Sequence, residues 1–335
     1  MSPPSPPRPR PQVVVVTGAS SGIGRGVARA FAERGADVVL AARGVAALEE
    51  VAAECRRRGA RALVVPTDVS DADQVQALAD AAVATFGRVD AWVGAAAVWS
   101  HARFEDTPRE VFDQVVATTL LGQVHGARAV LPVFRRQGSG VLVVVSSLHG
   151  RLSAPYVAPY VAAKWGLTGF AEVLRYELRD APGIHVCTVL PGTVDTPIYR
   201  HAAVRTPREI RPLPPVTDPR RVVRAVLDLV DRPRPEVVVA RTQRVAVTLH
   251  HLLPGAYGRL VGPAVRLGGL RRRPAVPRDR NVLAPSSATG AEPVADGWRR
   301  HDHRWVAAVA LPAGAAAMGA AVLAHRVRDR LRLRS

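Results

Sequence analysis

The sequence predicts an α/β fold: a doubly wound parallel sheet of about seven strands with helices on both faces, followed by a C-terminal extension. Three observations carry this expectation. Short β-branched runs recur at Val13–Val16, Ala36–Ala41, Ala62–Val65, Ala91–Val93, Val141–Val145, Ile184–Leu190 and Glu236–Val239. Several are apolar at nearly every position, as strands buried on both faces of a parallel sheet are, whereas a half-buried strand alternates. Between them lie longer helical stretches such as Gly24–Arg34, Ala46–Arg57, Asp73–Phe86 and Pro159–Leu178. The first run leads directly into a glycine-rich loop and then a helix, and no solenoid-length repeat competes with this reading.

The chain has 335 residues, 48% of them apolar, enough for one large α/β domain plus an extension. Its two cysteines, Cys55 and Cys187, stand far apart and in no metal-ligand spacing. That argues against a disulfide framework or a metal site and suits a reducing, cytoplasmic setting. Residues 1–11 are Pro-rich with no apolar run, so they read as a disordered lead-in rather than a secretory signal. The α/β domain is placed at 12–250, a Pro/Gly/Arg-rich extension at 251–300 and a basic tail with an apolar helix at 301–335. Within the extension, residues 267–300 read as a linker.

The formal net charge of +18 is unevenly spread: residues 1–240 carry 29 basic against 23 acidic side chains, and residues 241–335 carry 17 against 5. Such a tail fits an anionic partner or a solvated arginine-rich surface. No motif or aromatic interleaving supports nucleic-acid binding. Of the 46 basic residues only one is lysine, Lys164, and the sole asparagine is Asn281.

The first strand runs into Thr17-Gly18-Ala19-Ser20-Ser21-Gly22-Ile23-Gly24. Glycines at 18, 22 and 24 allow a tight turn and close approach to a pyrophosphate, and the following helix offers its free N–H groups, with Ser20, Ser21 and Ile23 in the same loop. A glycine loop at this position, between the first strand and first helix, marks a Rossmann-type dinucleotide site. The second strand ends at Arg43 with no acid beside it; a base there pairs with a ribose 2′-phosphate, so NADP is favoured over NAD.

Tyr160 and Lys164 stand four apart on a helix and therefore on one face. Ser147 ends the fifth strand, at the sheet edge where ligands bind in this architecture. A phenol titrates near pH 10, and a nearby ammonium stabilises its phenolate, so Tyr160 is expected to exchange a proton with a developing alkoxide. Ser147 would hydrogen-bond the substrate oxygen. A compact ammonium is tuned by its surroundings more readily than a guanidinium, which gives a chemical reason for one lysine in an arginine-rich chain.

The Thr-Gly-x3-Gly-x-Gly loop with Ser147, Tyr160 and Lys164 resembles the short-chain dehydrogenase/reductase family over about residues 12–245. The resemblance implies that Asp68, with Val69, meets the adenine, that Ala95 lies against the cofactor, and that Lys164 holds the nicotinamide ribose. It also implies that Pro191-Gly192-Thr193-Val194-Asp195-Thr196 holds the carboxamide, with Thr196 as donor. Asp68 could alternatively cap the helix near Asp73, although Asp71 fits that role better. Two positions depart from the family. Gly94-Ala95-Ala96-Ala97 replaces Asn-Asn-Ala-Gly, and Thr119 stands where the family has a catalytic asparagine; its hydroxyl can bond backbone or water and so replace that amide in part.

The expected activity is NADP(H)-dependent interconversion of a carbonyl and an alcohol, on a small lipophilic substrate given Val98, Trp99, Leu148 and Leu152 nearby, in a homo-oligomer. The alternative is an NADP(H)-binding sensor or scaffold with little turnover, which the altered Asn positions favour. Trp305–Ala324 carries no charge and is long enough to span a bilayer, yet its alanine content makes it marginal. Membrane association, a docked helix and disorder all stay open for it. His250-His251-Leu252-Leu253 reads either as a hydrophobic mouth or as plain surface.

Overall fold

The computed structural model describes residues 12–240, 243–284 and 290–301. Along the chain run β1 (Val13–Thr17), α1 (Gly22–Glu33), β2 (Asp37–Ala42), α2 (Val45–Arg56), β3 (Ala62–Pro66), α3 (Ala72–Phe86) and β4 (Ala91–Gly94). There follow α4 (Arg109–Val116), a π-turn (Ala117–Leu121), α5 (Gly122–Gln137), β5 (Gly140–Val145), α6 (Ala158–Glu177) and β6 (Ile184–Pro191). The last elements discussed are α7 (Pro219–Asp231), β7 (Glu236–Val239), α8 (Arg244–Leu252) and α9 (Pro254–Gly268).

The seven strands form one parallel sheet in the order β7-β6-β5-β4-β1-β2-β3. The doubly wound architecture is therefore as the sequence predicts. The strand order reverses between β1 and β4, and the crevice at such a switch point is where ligands bind. β1 shows why its run is unbroken: Val14 and Val16 face a core with Val27 and Phe31 of α1 and Val222 of α7. Val13 and Val15 face the opposite core, with Leu78 of α3, Phe134 of α5 and Leu167 of α6. A polar residue at any of these positions would be buried in one layer or the other.

Helix signals resolve as the residue chemistry requires. Asp71, not Asp68, caps α3, accepting from the backbone N–H of Asp73 (2.9 Å) and Gln74 (3.1 Å). Asp68 instead closes its own turn, accepting from the Ser70 N–H and hydroxyl. Asp71→Ala is expected to lower the thermal midpoint by about 2 °C, and Asp71→Asn, which keeps an acceptor, by less; calorimetry reads both.

The described residues of the 267–300 stretch pair and pack with the domain, unlike the linker that its composition suggests. Leu270–Pro274 pairs antiparallel with Arg208–Ile210, and Arg278 exchanges backbone hydrogen bonds with Val204. Val282 is fully buried in a cluster containing Val98, Val157 and Tyr160. Prolines and arginines disfavour a regular interior element, but they do not prevent an edge segment from pairing with a distant strand. Cys55 and Cys187 are both buried free thiols. Among the described residues no helix is long and apolar enough to cross a membrane, and no cluster of metal-ligating side chains occurs. Trp305–Ala324 lies outside the described residues.

Candidate active site

The glycine loop sits at the switch point, and its glycines are required sterically. Gly18 has φ +68°, and a Cβ there would lie 2.8 Å from the Ala96 nitrogen. A Cβ on Gly24 would overlap the Gly18 carbonyl. Thr17 Oγ1 accepts from Ala96 N–H at 3.4 Å, so the loops after β1 and β4 are laced together. Ser21 stands at the N-cap of α1 without a side-chain cap, leaving that helix end to other acceptors. This tightly turned backbone, at a helix end that no side chain caps, has the form of a dinucleotide-phosphate site, and its first N–H, that of Gly22, is met here by a backbone carbonyl.

The C-terminal extension returns to this loop. Gly22 N–H donates to the Pro293 carbonyl (3.2 Å), and Glu292 N–H to the Ser20 carbonyl (3.1 Å). Arg43 donates to the Asn281 carbonyl. Partial burial lowers the Arg43 pKa, with the Asp68 carboxylate acting against it. Val69 packs against Gly122, where a Cβ would come 2.7 Å from its methyl group.

Across the crevice, α6 brings Tyr160 and Lys164 together. Lys164 is 1% exposed, donates to the Val145 carbonyl at 2.8 Å and lies 5.5 Å from the centre of the Tyr160 ring. Ser147, just past β5, has its hydroxyl against the phenol and accepts from His149 N–H at 3.2 Å. Its neighbour Ser146 faces the other way and pairs with Thr168 at 3.2 Å, as alternation along an extended chain dictates. The expected lowering of the phenol pKa does not appear. Burial pushes Tyr160 up to about 12, only partly opposed by Ser147, and pushes Lys164 down to about 7. Both groups lose water, and among the described residues no anion lies close enough to hold the ammonium.

Pro191 ends β6, and the loop after it folds over the N-terminus of α1. Thr196 lies against Gly22, where a Cβ would be 3.4 Å from the threonine Cβ. Gly192 N–H bonds the Val239 carbonyl at 3.1 Å. Gln243 clamps Thr193, accepting from its N–H at 3.3 Å and donating to its hydroxyl at 3.1 Å.

A family model described as short chain dehydrogenase matches residues 12–205. The chain belongs to the short-chain dehydrogenase family. It is 32% identical over 327 residues to an uncharacterized oxidoreductase of Bacillus subtilis, YxnA, covering 96% of this chain and 91% of the relative. It is 30% identical over 268 residues to dehydrogenase/reductase SDR family member 7B of Bos taurus, covering 77% and 82% of the two chains. Among solved structures it resembles an alcohol dehydrogenase from Thermococcus sibiricus complexed with 5-hydroxy-NADP, with TM-score 0.61, 28% identity and coverage of 69% of this chain and 96% of that one. It also resembles a short-chain dehydrogenase/reductase from Burkholderia phymatum in complex with NAD, with TM-score 0.65, 27% identity and coverage of 80% and 98%. The protein is an oxidoreductase of this family, with a fold that other members use to hold nicotinamide dinucleotides.

The two departures from the family have a structural counterpart. Thr119 is buried in the π-turn, and its hydroxyl is engaged by the Val98 N–H (3.3 Å) and carbonyl (3.2 Å). It ties the loop after β4 to the long helix. Gln123 Nε2 donates to the Ala96 carbonyl at 3.2 Å, and its side chain occupies the space a Cβ on Gly94 would take. Ala95 packs against the α1-side core.

Several contacts at the site carry no sequence signal. Asp195 accepts from the N–H groups of Asp296 (3.0 Å) and Trp298 (2.9 Å), anchoring the extension. Gln243 acts across 50 residues, so no local spacing reveals it. Around Tyr160 stand Trp99 and His149, with ring centroids 6.4 and 6.0 Å away, and Tyr199 packs on Trp99 at 5.0 Å. Burial pushes His149 down to about 4, so at neutral pH it is an uncharged wall of the site. Val98, Leu148 and Leu152 are buried as well, giving the apolar surroundings that the sequence suggests.

Proposed function

We propose that the protein interconverts a carbonyl and an alcohol on a small lipophilic substrate with NADP(H), using Tyr160 as general acid and base. The observation that carries this reading is the buried Tyr160 beside Ser147, with the Lys164 ammonium 5.5 Å from the centre of its ring. Bound NADPH would supply the hydride to the carbonyl carbon. Tyr160 gives its proton to the developing alkoxide, and Ser147 donates a hydrogen bond to the same oxygen. Lys164 has one donor committed to Val145, and its remaining N–H groups are available to ribose hydroxyls. Apolar walls from Val98, Trp99, Leu148 and Leu152 favour a hydrophobic substrate and exclude water.

Arg43 supports NADP over NAD. Its guanidinium has five donors, so the Asn281 carbonyl orients it without exhausting it. The test follows loss of NADPH or NADH absorbance across lipophilic ketones and aldehydes. Arg43→Ala is expected to raise the KM for NADPH about ten- to hundredfold, the worth of a charged hydrogen bond, and to leave NADH nearly unchanged. Equal effects on both cofactors would remove Arg43 from cofactor choice. NADPH binding with no turnover of any carbonyl or alcohol would favour a sensor or scaffold role, the reading that the Thr119 and Gly94–Ala97 departures support.

A further inference from the structure

The helical hairpin α8–α9 carries a large apolar surface with no protein partner among the described residues. No residue of α8 is buried, and Leu252, Leu260 and Leu267 are 73%, 58% and 71% exposed. Val245 and Leu253 on the same hairpin are exposed too. Exposed apolar area of this kind on a folded domain marks a contact surface. Its charge is one-sided: residues 244–268 carry three arginines and no acid, and the flanking stretches out to Glu236 and Asp279 add five more arginines and no acid. Arg244, Arg259 and Arg266 stand exposed among those leucines.

We infer that the α8–α9 hairpin docks the enzyme on an anionic lipid surface, its leucines entering the headgroup and acyl boundary and its arginines meeting lipid phosphates. An amphipathic, arginine-bearing helix pair with apolar residues on its outer side has the chemistry for that position. A second copy of this chain is a poorer occupant. A two-fold contact sets each patch against itself, and here it would bring arginine rows together with no carboxylate from the hairpin to separate them. The inner side of α8 adds a functional link. Ala246, Val247 and Leu249 pack on the cluster that holds Leu148 and Leu152, the residues following Ser147. A substrate dissolved in the lipid would reach the site along the wall that α8 shares. This last step rests on the proposed activity, whereas docking itself does not.

Flotation of the full chain with phosphatidylcholine vesicles, with and without phosphatidylglycerol, tests the docking surface. Wild type is expected to float with the anionic vesicles, less so as salt rises. The variants Leu252→Glu/Leu260→Glu and Arg259→Glu/Arg266→Glu are each expected to lower partitioning by about tenfold or more, with unchanged thermal midpoints. Wild type that stays in solution with anionic vesicles overturns the inference. So do variants that float like wild type, which would place the contact elsewhere, residues 305–324 included. A wild-type dimer that the leucine variant converts to monomer, with flotation unaltered, would assign the face to a second copy. Flotation needs no turnover, so a failed activity panel and a failed docking surface read out separately.

Discussion

Replacing Tyr160 with Phe is expected to lower kcat by a factor of about 10²–10⁴ while leaving NADPH affinity nearly unchanged. The substitution keeps the ring that packs against Trp99 and His149 and removes only the hydroxyl beside Ser147. Loss therefore falls on proton transfer and not on the shape of the crevice. The pH dependence follows from the same burial. With the phenol pushed up to about 12, its acid form persists across the physiological range and its base form is scarce. Carbonyl reduction is thus expected to show no loss from Tyr160 between pH 7 and pH 10. Alcohol oxidation should rise with pH, since the phenolate fraction grows about tenfold per unit below the pKa. Profiles of kcat/KM in both directions read this in the free enzyme. A reduction rate that falls through pH 8–9, with oxidation flat, would show that the proton donor is another group.

Lys164→Met should separate activity from stability in opposite directions. Methionine fills a similar volume without a charge, so it removes an ammonium buried at 1% exposure. The Val145 carbonyl loses its donor, at about 1–3 kcal/mol, against the several kcal/mol that burying an unpaired ion costs. The variant is expected to melt about 5 °C higher below pH 7 and to lose turnover by a factor comparable to Tyr160→Phe. The pH sense of the difference is fixed by linkage. Lys164 has a folded pKa of about 7, below its unfolded value near 10.5, so the unfolded chain holds more protons between them. Below pH 7 the burial penalty on wild type is full, and it is relieved as pH rises toward the unfolded value. The gap between variant and wild type should therefore narrow over that window. A variant that melts lower than wild type at pH 6 would show that the ammonium contributes a structural bond beyond the one to Val145.

How far the sequence carries is set by the range of the interactions involved. The inner strands are legible because burial on both faces forces an apolar residue at nearly every step, as β1 illustrates with Val13 to Val16, and the partly buried edge strands β3 and β7 are legible from their valine-bearing runs. The glycine loop is legible because its steric demands fall within eight residues, and Tyr160 with Lys164 because helix periodicity alone sets them on one face. The rest depends on distant pairing. Val282 packs into the cluster of Tyr160 from more than a hundred residues away, and the composition around it suggests a linker. Gln243 holds Thr193, and the Asn281 carbonyl holds Arg43, through contacts that no spacing rule encodes. Nor does the ordinary acidity of a phenol and an ammonium in water anticipate that burial would raise Tyr160 and lower Lys164 at once; that follows only from the two sharing one dry crevice. Thr119 falls on the expected helix, yet its hydroxyl bonds Val98 because the π-turn directs it toward the loop after β4.

The most direct test of carbonyl–alcohol interconversion through Tyr160 traces the hydride. NADPH carrying deuterium at the transferable C4 position would be incubated with the full chain and a lipophilic ketone or aldehyde, and the alcohol product examined by mass spectrometry. The expected product carries one deuterium on the carbinol carbon and is formed with wild type and not with Tyr160→Phe. Alcohol formed without that label, or formed equally by the Tyr160 variant, would contradict the proposed chemistry.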